Sequence, residues 1–201
     1  MLSPREIWEW LDGGDNPPPG IASSRGPLLV LGGGRCVWDD LARVTPWNGD
    51  VMAINEIGQH YAGILRHWLT LHPEYMPGWL AWRLGHCMGE GARPETHSSR
   101  SELGIDRVWP ALASRSGTGG LAAPIVGLML GYAPIVLAGV PMDDGGHYFD
   151  PPGHKTPEFG DGAVRAEWRQ AIDVVFGGRV TSLSGNTRAW LGAPAFLKEA
   201  A

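Results

Sequence analysis

The chain of 201 residues is 43% hydrophobic and carries a net charge of -5, which suits one domain with a sizeable core. The acidic balance argues against broad nucleic-acid binding through a basic face, no apolar run approaches the length of a membrane span, and the N-terminus lacks a signal pattern. Cys36 and Cys87 are the only cysteines and make no disulfide framework, so reduced thiols and a cytoplasmic location are expected.

In chain order, Pro4 to Leu11 reads as a short helix. Ser3 is its N-cap, Pro4 its first residue, and Glu6 stands three residues after the cap. The following stretch to Gly26 is polar and rich in Gly and Pro. Residues 1–26 are therefore expected to be a helix and an arm, and 27–201 a single domain. Leu28 to Leu31 is the first buried strand; Gly32, Gly33 and Gly34 follow, and Val37, Leu41 and Val44 recur at helical spacing. A strand, a glycine turn and a helix open a nucleotide-binding unit, because glycines admit a phosphate to the N–H groups at a helix start. GGGRCVWDD is neither GxGxxG nor a Walker loop, so a tight turn without a ligand remains the alternative.

Val51 to Ile54 is the second strand and ends at Asn55, which can bond a base or ribose or cap the next helix, read over Gly58–Leu65. His67 to Leu71 is a third strand, and Glu74 to Leu84 a helix interrupted at Pro77-Gly78. His67 and His72 are taken as structural. Gly85 to Asp106 gives no clear pattern and lacks the ligand spacing of a zinc site. Arg107 to Trp109 is a short strand.

The stretch Ser114–Asp150 organises the chain: a polar Gly-rich loop, an apolar helix over Leu121–Leu130 closed by Gly131, a buried strand at Ile135–Ala138, and a polar loop from Met142. A lid is expected at Pro151–Gly160. Asp161 to Phe176 is the clearest helix, Arg179 to Leu183 a closing strand, and Ser184–Thr187 its exit turn. The 10 Trp are assigned first to core packing.

Strands and helices alternate, so the fold class is α/β: a single Rossmann-like domain with a mostly parallel sheet flanked by helices. Ligands of such sheets bind beyond the carboxyl ends of the strands. The loops there offer Gly32, Gly33, Gly34, Asn55, Arg115, Ser116, Gly117 and Thr118 to a nucleotide with a diphosphate or an activated sugar. His147 serves as acid or base, with Asp143 beside it and Tyr148 at a phosphate oxygen. Asp143, Asp144 and His147 could instead hold a divalent metal, although acidic loop residues are more often solvated; no metal ligand and no resident cofactor are assigned.

The segments LVLGGGRCVWDDL, VMAINEIG and SGTGGLAAPIVGLMLGYAPIVLAGVPM...HYFD resemble the Rossmann-like bacterial sialyltransferases. They are also similar to related hydroxymethylpterin diphosphokinase-like and phage-encoded proteins of unknown function. The resemblance implies that Gly33, Gly34, Asn55, Ser116, Gly117 and Thr118 bind the nucleotide, and that Tyr148 holds its phosphate. His147 or His154 would then be the base. The first reading is thus a glycosyltransferase using a nucleotide-activated sugar and an acceptor not identified by sequence. Two alternatives stand beside it. One is a non-catalytic phage or prophage accessory or assembly protein, for which self-association into a homo-oligomer is expected. The other is a metal-dependent diphosphate transferase or phosphohydrolase.

Overall fold

The computed structural model describes residue 7 and residues 25–86, 93–112, 118–155 and 162–197. The helix expected at Pro4–Leu11 and most of the arm after it lie outside the described residues, as do Arg115, Ser116, Gly117 and 156–160 of the expected lid. Ile7 is fully buried in the core.

The described chain runs β1 (Leu28–Leu31), α1 (Val37–Val44), β2 (Asp50–Ile54), α2 (Ile57–His60), β3 (His67–Thr70), α3 (Met76–Gly85), β4 (Glu95–Ser98), β5 (Arg107–Val108), α4 (Gly119–Met129), β6 (Ile135–Ala138), α5 (Gly162–Ala171), β7 (Val180–Ser182) and α6 (Gly185–Leu191). The strands form one sheet in the order β5-β4-β3-β2-β1-β6-β7, with every pairing parallel. The expected α/β class with a parallel sheet is what the chain adopts.

Strand alternation divides the core. Leu28, Val30, Met52, Ile54, Leu69 and Leu137 face α4 and α5, whereas Leu29, Leu31, Val51, Ala53, Trp68 and Val136 face α1, α2 and α3. Both faces are covered, which explains the unbroken apolar runs of β1 and β6. Trp68 and Trp168 are fully buried and Trp109 nearly so, while Trp38 is 41% exposed; tryptophan therefore serves the core at some positions and not at others. No described helix is long and apolar enough to cross a membrane.

Four local differences from the sequence reading have physical causes. The helix expected over Gly58–Leu65 is the single turn α2, because the Arg83 guanidinium draws the backbone carbonyls of Gly58, Tyr61 and Gly63 onto itself at 2.8, 2.6 and 2.6 Å. The turn expected at Ser184–Thr187 opens α6. Its first residues grip the loop after β6: the Asn186 N–H and amide donate to the carbonyls of Pro141 and Met142, both at 2.8 Å, and the Thr187 hydroxyl to Val140. Finally, β4 lies inside the stretch that showed no pattern. Thr96, His97 and Ser98 are buried although polar, so no apolar run announced them. Pro77 starts α3 rather than interrupting it, as a residue without an N–H can in a first turn.

Candidate functional site

Strands β2 to β5 lie on one side of β1, and β6 and β7 on the other. The loops leaving β1 and β6 therefore separate at the point where strand order reverses, the usual place for a cleft in an open parallel sheet. Two adjoining cavities occupy it, of about 100 and about 210 Å³. They share Gly33, Ile54, Asn55 and His147 as a common wall. The first is also lined by Gly32, Gly34, Thr118 and Asp143. The second is lined by His72, Tyr75, Trp79, Tyr148 and Phe149.

The three glycines after β1 are not equivalent. A Cβ on Gly32 would stand 2.5 Å from the Gly139 carbonyl oxygen, and one on Gly34 would overlap the Pro141 ring. Their N–H groups are taken by Ala138 and Gly139 carbonyls, both at 2.8 Å, which extends the β1–β6 ladder past the strand ends. Gly32 and Gly34 thus line the first cavity with their N–H groups already bonded, whereas Gly33 lines both cavities and makes no such ladder bond among the described residues. The Gly33 carbonyl receives the Tyr148 N–H at 3.0 Å. This ties the first loop to the last.

Asn55 ends β2 with φ 54°, a left-handed conformation that Asn tolerates better than most residues. Trp68 Nε1 donates to its carbonyl at 2.6 Å, and the Thr70 hydroxyl donates to Oδ1 at 2.9 Å. With Oδ1 occupied, the amide NH₂ is the end of the side chain left to donate into the cleft. Thr118 caps α4, its hydroxyl accepting from the Leu121 N–H at 3.3 Å. Gly119 and Gly120 follow because a Cβ at either would come within 2.7 Å of Ile54 Cγ2 or 2.9 Å of Val140 Cγ1.

The opposite wall is the loop after β6. Asp150 Oδ2 accepts from the His147 N–H at 2.7 Å and sits 3.3 Å from His147 Nδ1. These bonds hold the Asp150 carboxyl below its ordinary range, the His147 backbone bond contributing most. The Cδ2 edge of the imidazole faces Gly33, and its ring stacks on Phe149, 5.1 Å between centroids. His154 stands behind, with Nε2 3.8 Å from Asp150. Asp143 accepts from the Gly145 N–H at 2.9 Å, and Asp144 pairs with Lys155 at 2.7 Å. Arg35 clasps the loop, donating to the carbonyls of Gly145 and Pro151, both at 3.0 Å.

Tyr148 packs edge-on against Trp38, His60 and Phe149. Its hydroxyl is buried and has no hydrogen-bond partner among the described residues. Burial, reinforced by Glu56, holds the phenol protonated well above its usual range. A buried polar atom without a partner is uncommon and calls for an explanation.

The site thus brings together Gly32, Gly33, Gly34, Asn55, Thr118, Asp143, His147 and Tyr148; His154 reaches it through Asp150. Asp150 and Arg35 were not among the residues the sequence singled out for this site. The HYFD spacing is the trace Asp150 leaves in the sequence. The part of Arg35 depends on a contact across 110 residues and leaves none.

No family model matches the chain, and no curated protein matches it in sequence. Solved structures similar in fold include the following three. One is the sialyltransferase CstII from Campylobacter jejuni in complex with the substrate analogue cytidine-5'-monophosphate, with TM-score 0.59 at 13% identity over 90% of this chain and 89% of that one. Another is CstII with CMP-3FNeuAc, TM-score 0.54 at 13% identity over 83% and 85%. The third is CST-II with a trisaccharide acceptor and CMP, TM-score 0.56 at 12% identity over 86% and 88%. The chain has a sialyltransferase-like fold.

Proposed function

We propose that the chain is a glycosyltransferase of sialyltransferase type, which binds a nucleotide-activated sugar in the switch-point cleft and passes the sugar to an acceptor hydroxyl. The observation that carries this reading is the meeting of Gly33, Asn55 and Thr118 with the His147–Asp150 pair across one cleft. The fold similarity to proteins solved with CMP supports it.

In this reading the nucleotide lies along Gly33, Asn55 and the start of α4. There the Gly33 N–H, the Asn55 amide and the positive end of the helix dipole meet the phosphate. Charge builds on that phosphate as the bond to the sugar breaks, and donors already in place stabilise it. A phosphate oxygen would also give the Tyr148 hydroxyl the acceptor it lacks. His147 takes the proton of the acceptor hydroxyl, with Asp150 fixing the ring and favouring the imidazolium that forms. Arg115, Ser116 and Gly117 are proposed to complete the nucleotide site. Tyr75 and Trp79 at the second cavity offer apolar faces to a sugar ring.

Titration calorimetry with CMP, UMP and their sugar conjugates tests the reading. Binding of one nucleotide series is expected, weakened about tenfold or more in Asn55→Ala. Absence of binding by every nucleotide at millimolar concentration would overturn it.

A further inference from the structure

We propose that His67, His97 and Glu95 form a transition-metal site suited to Zn²⁺, which staples β3 to β4 at the amino edge of the sheet. This is the edge opposite the cleft, and the inference is independent of the function proposed above.

The strand register places the ligands. His67 is opposite Glu95, and Leu69 is opposite His97, so Glu95 and His97 stand two residues apart on the face that His67 also uses. His67 Nδ1 and His97 Nε2 are 3.0 Å apart, and Glu95 Oε2 lies 3.3 and 3.7 Å from them. A tetrahedral ion with bonds of about 2.0–2.1 Å separates its ligands by about 3.3 Å, so these three atoms outline one face of such a polyhedron. Two imidazoles and a carboxylate are a familiar zinc donor set. Both rings are fully buried, whereas Glu95 is 35% exposed. The Glu95 side therefore gives the entry path and a fourth position for water.

The surrounding bonds present the right atoms. His67 Nε2 meets the Tyr132 hydroxyl at 2.9 Å, and that hydroxyl donates to Asp50. Such an outer partner fixes a ligating ring and keeps its proton off the metal-facing nitrogen. Arg107 holds Oε1 of Glu95 at 3.4 Å, leaving Oε2 to the ion. Two contacts oppose binding: the bond between His67 Nδ1 and His97 Nε2 has to open to admit the ion, and Trp109 provides the second. Trp109 Nε1, which can only donate, points at His97 Nδ1 from 3.2 Å. Without metal, His97 therefore carries its proton on Nε2. Metal binding moves that proton to Nδ1 and opens the Trp109 contact, so Trp109 is both competitor and reporter.

The test uses the chain treated with chelator, in a His72→Ala/His147→Ala/His154→Ala background that removes the histidines lining or adjoining the cleft. Zn²⁺ titration is expected to show one equivalent bound, with a rise in melting temperature and a change in tryptophan fluorescence. Co²⁺ is expected to give the visible bands of four-coordination. Glu95→Gln, at a half-exposed position that leaves the core intact, should weaken binding by more than the roughly 10–100-fold that loss of an outer partner produces. Trp109→Phe should tighten it about fivefold, the equivalent of one neutral hydrogen bond no longer broken. No stoichiometric binding, or binding that Glu95→Gln leaves unchanged, overturns the proposal. Unaltered affinity in Trp109→Phe overturns the proton assignment that it includes.

Discussion

The two edges of the sheet treat polar atoms in opposite ways. At the amino edge, Trp109, His97, His67, Tyr132 and Asp50 form a chain in which every ring nitrogen has a partner. Arg25 adds a bond to Tyr132 from outside. At the carboxyl edge, the Tyr148 hydroxyl is buried without a partner among the described residues, the Asn55 amide is half used, and Asn55 and Met142 hold left-handed backbone conformations. Strain and unmet hydrogen-bonding capacity persist where the surrounding structure enforces them, and they collect at binding sites. The contrast separates a region organised for stability from one organised to receive something.

Three experiments break or sharpen that contrast. The largest effect is expected from His147→Ala, which should lower transfer to the acceptor by about 10²–10⁴-fold with a small change in melting temperature. A variant that lost stability rather than turnover would place His147 with the amino-edge chain instead. The second effect is on pH. In the metal-free protein, burial lowers His67 to about 4 and His97 to about 3, against about 6.5 when unfolded. The unfolded chain then binds more protons between these values, so stability rises with pH in that window. It should be fully present above pH ~6.5 and decline as pH falls toward 3, by denaturant melts in chelator. A flat profile would show that the chain carries none of that stability. The smallest effect should come from Tyr148→Phe. Removing a hydroxyl that has no partner should leave stability unchanged or raise it by up to about 1 kcal/mol. Nucleotide affinity should fall about tenfold, and a loss of stability without loss of affinity would reassign the hydroxyl to the core.

Much of the fold could be read from the chain because the sheet is covered on both sides. Leu28–Leu31 and Ile135–Ala138 are apolar at every position, and Gly131, Gly177 and Gly178 take up the positive φ values that end helices. The parts that could not be read are those where a polar side chain replaces the usual signal. Arg83 binds the carbonyls of the stretch read as a helix, and Thr96 lives inside a strand by bonding Gly104 and Asp106. At the site, Asn55, Thr118 and His147 were visible as residue types at strand ends. The separate duties of Gly32, Gly33 and Gly34 were not, because they follow from β6 lying beside β1, with Leu28 opposite Ile135, 107 residues further along the chain.

Asn186 and Thr187 secure the backbone between Val140 and Met142, while Ser184 reaches Asp40. Synthesis proceeds from the N-terminus and domains mature as they emerge. The stretch Val140–Met142 therefore gains these bonds only once residues 184–187 have emerged, whereas Arg35 and the Gly33 carbonyl can hold the loop beyond it from the start. The last helix is thus the clasp that completes the bend after β6, from a part of the chain more than 40 residues away.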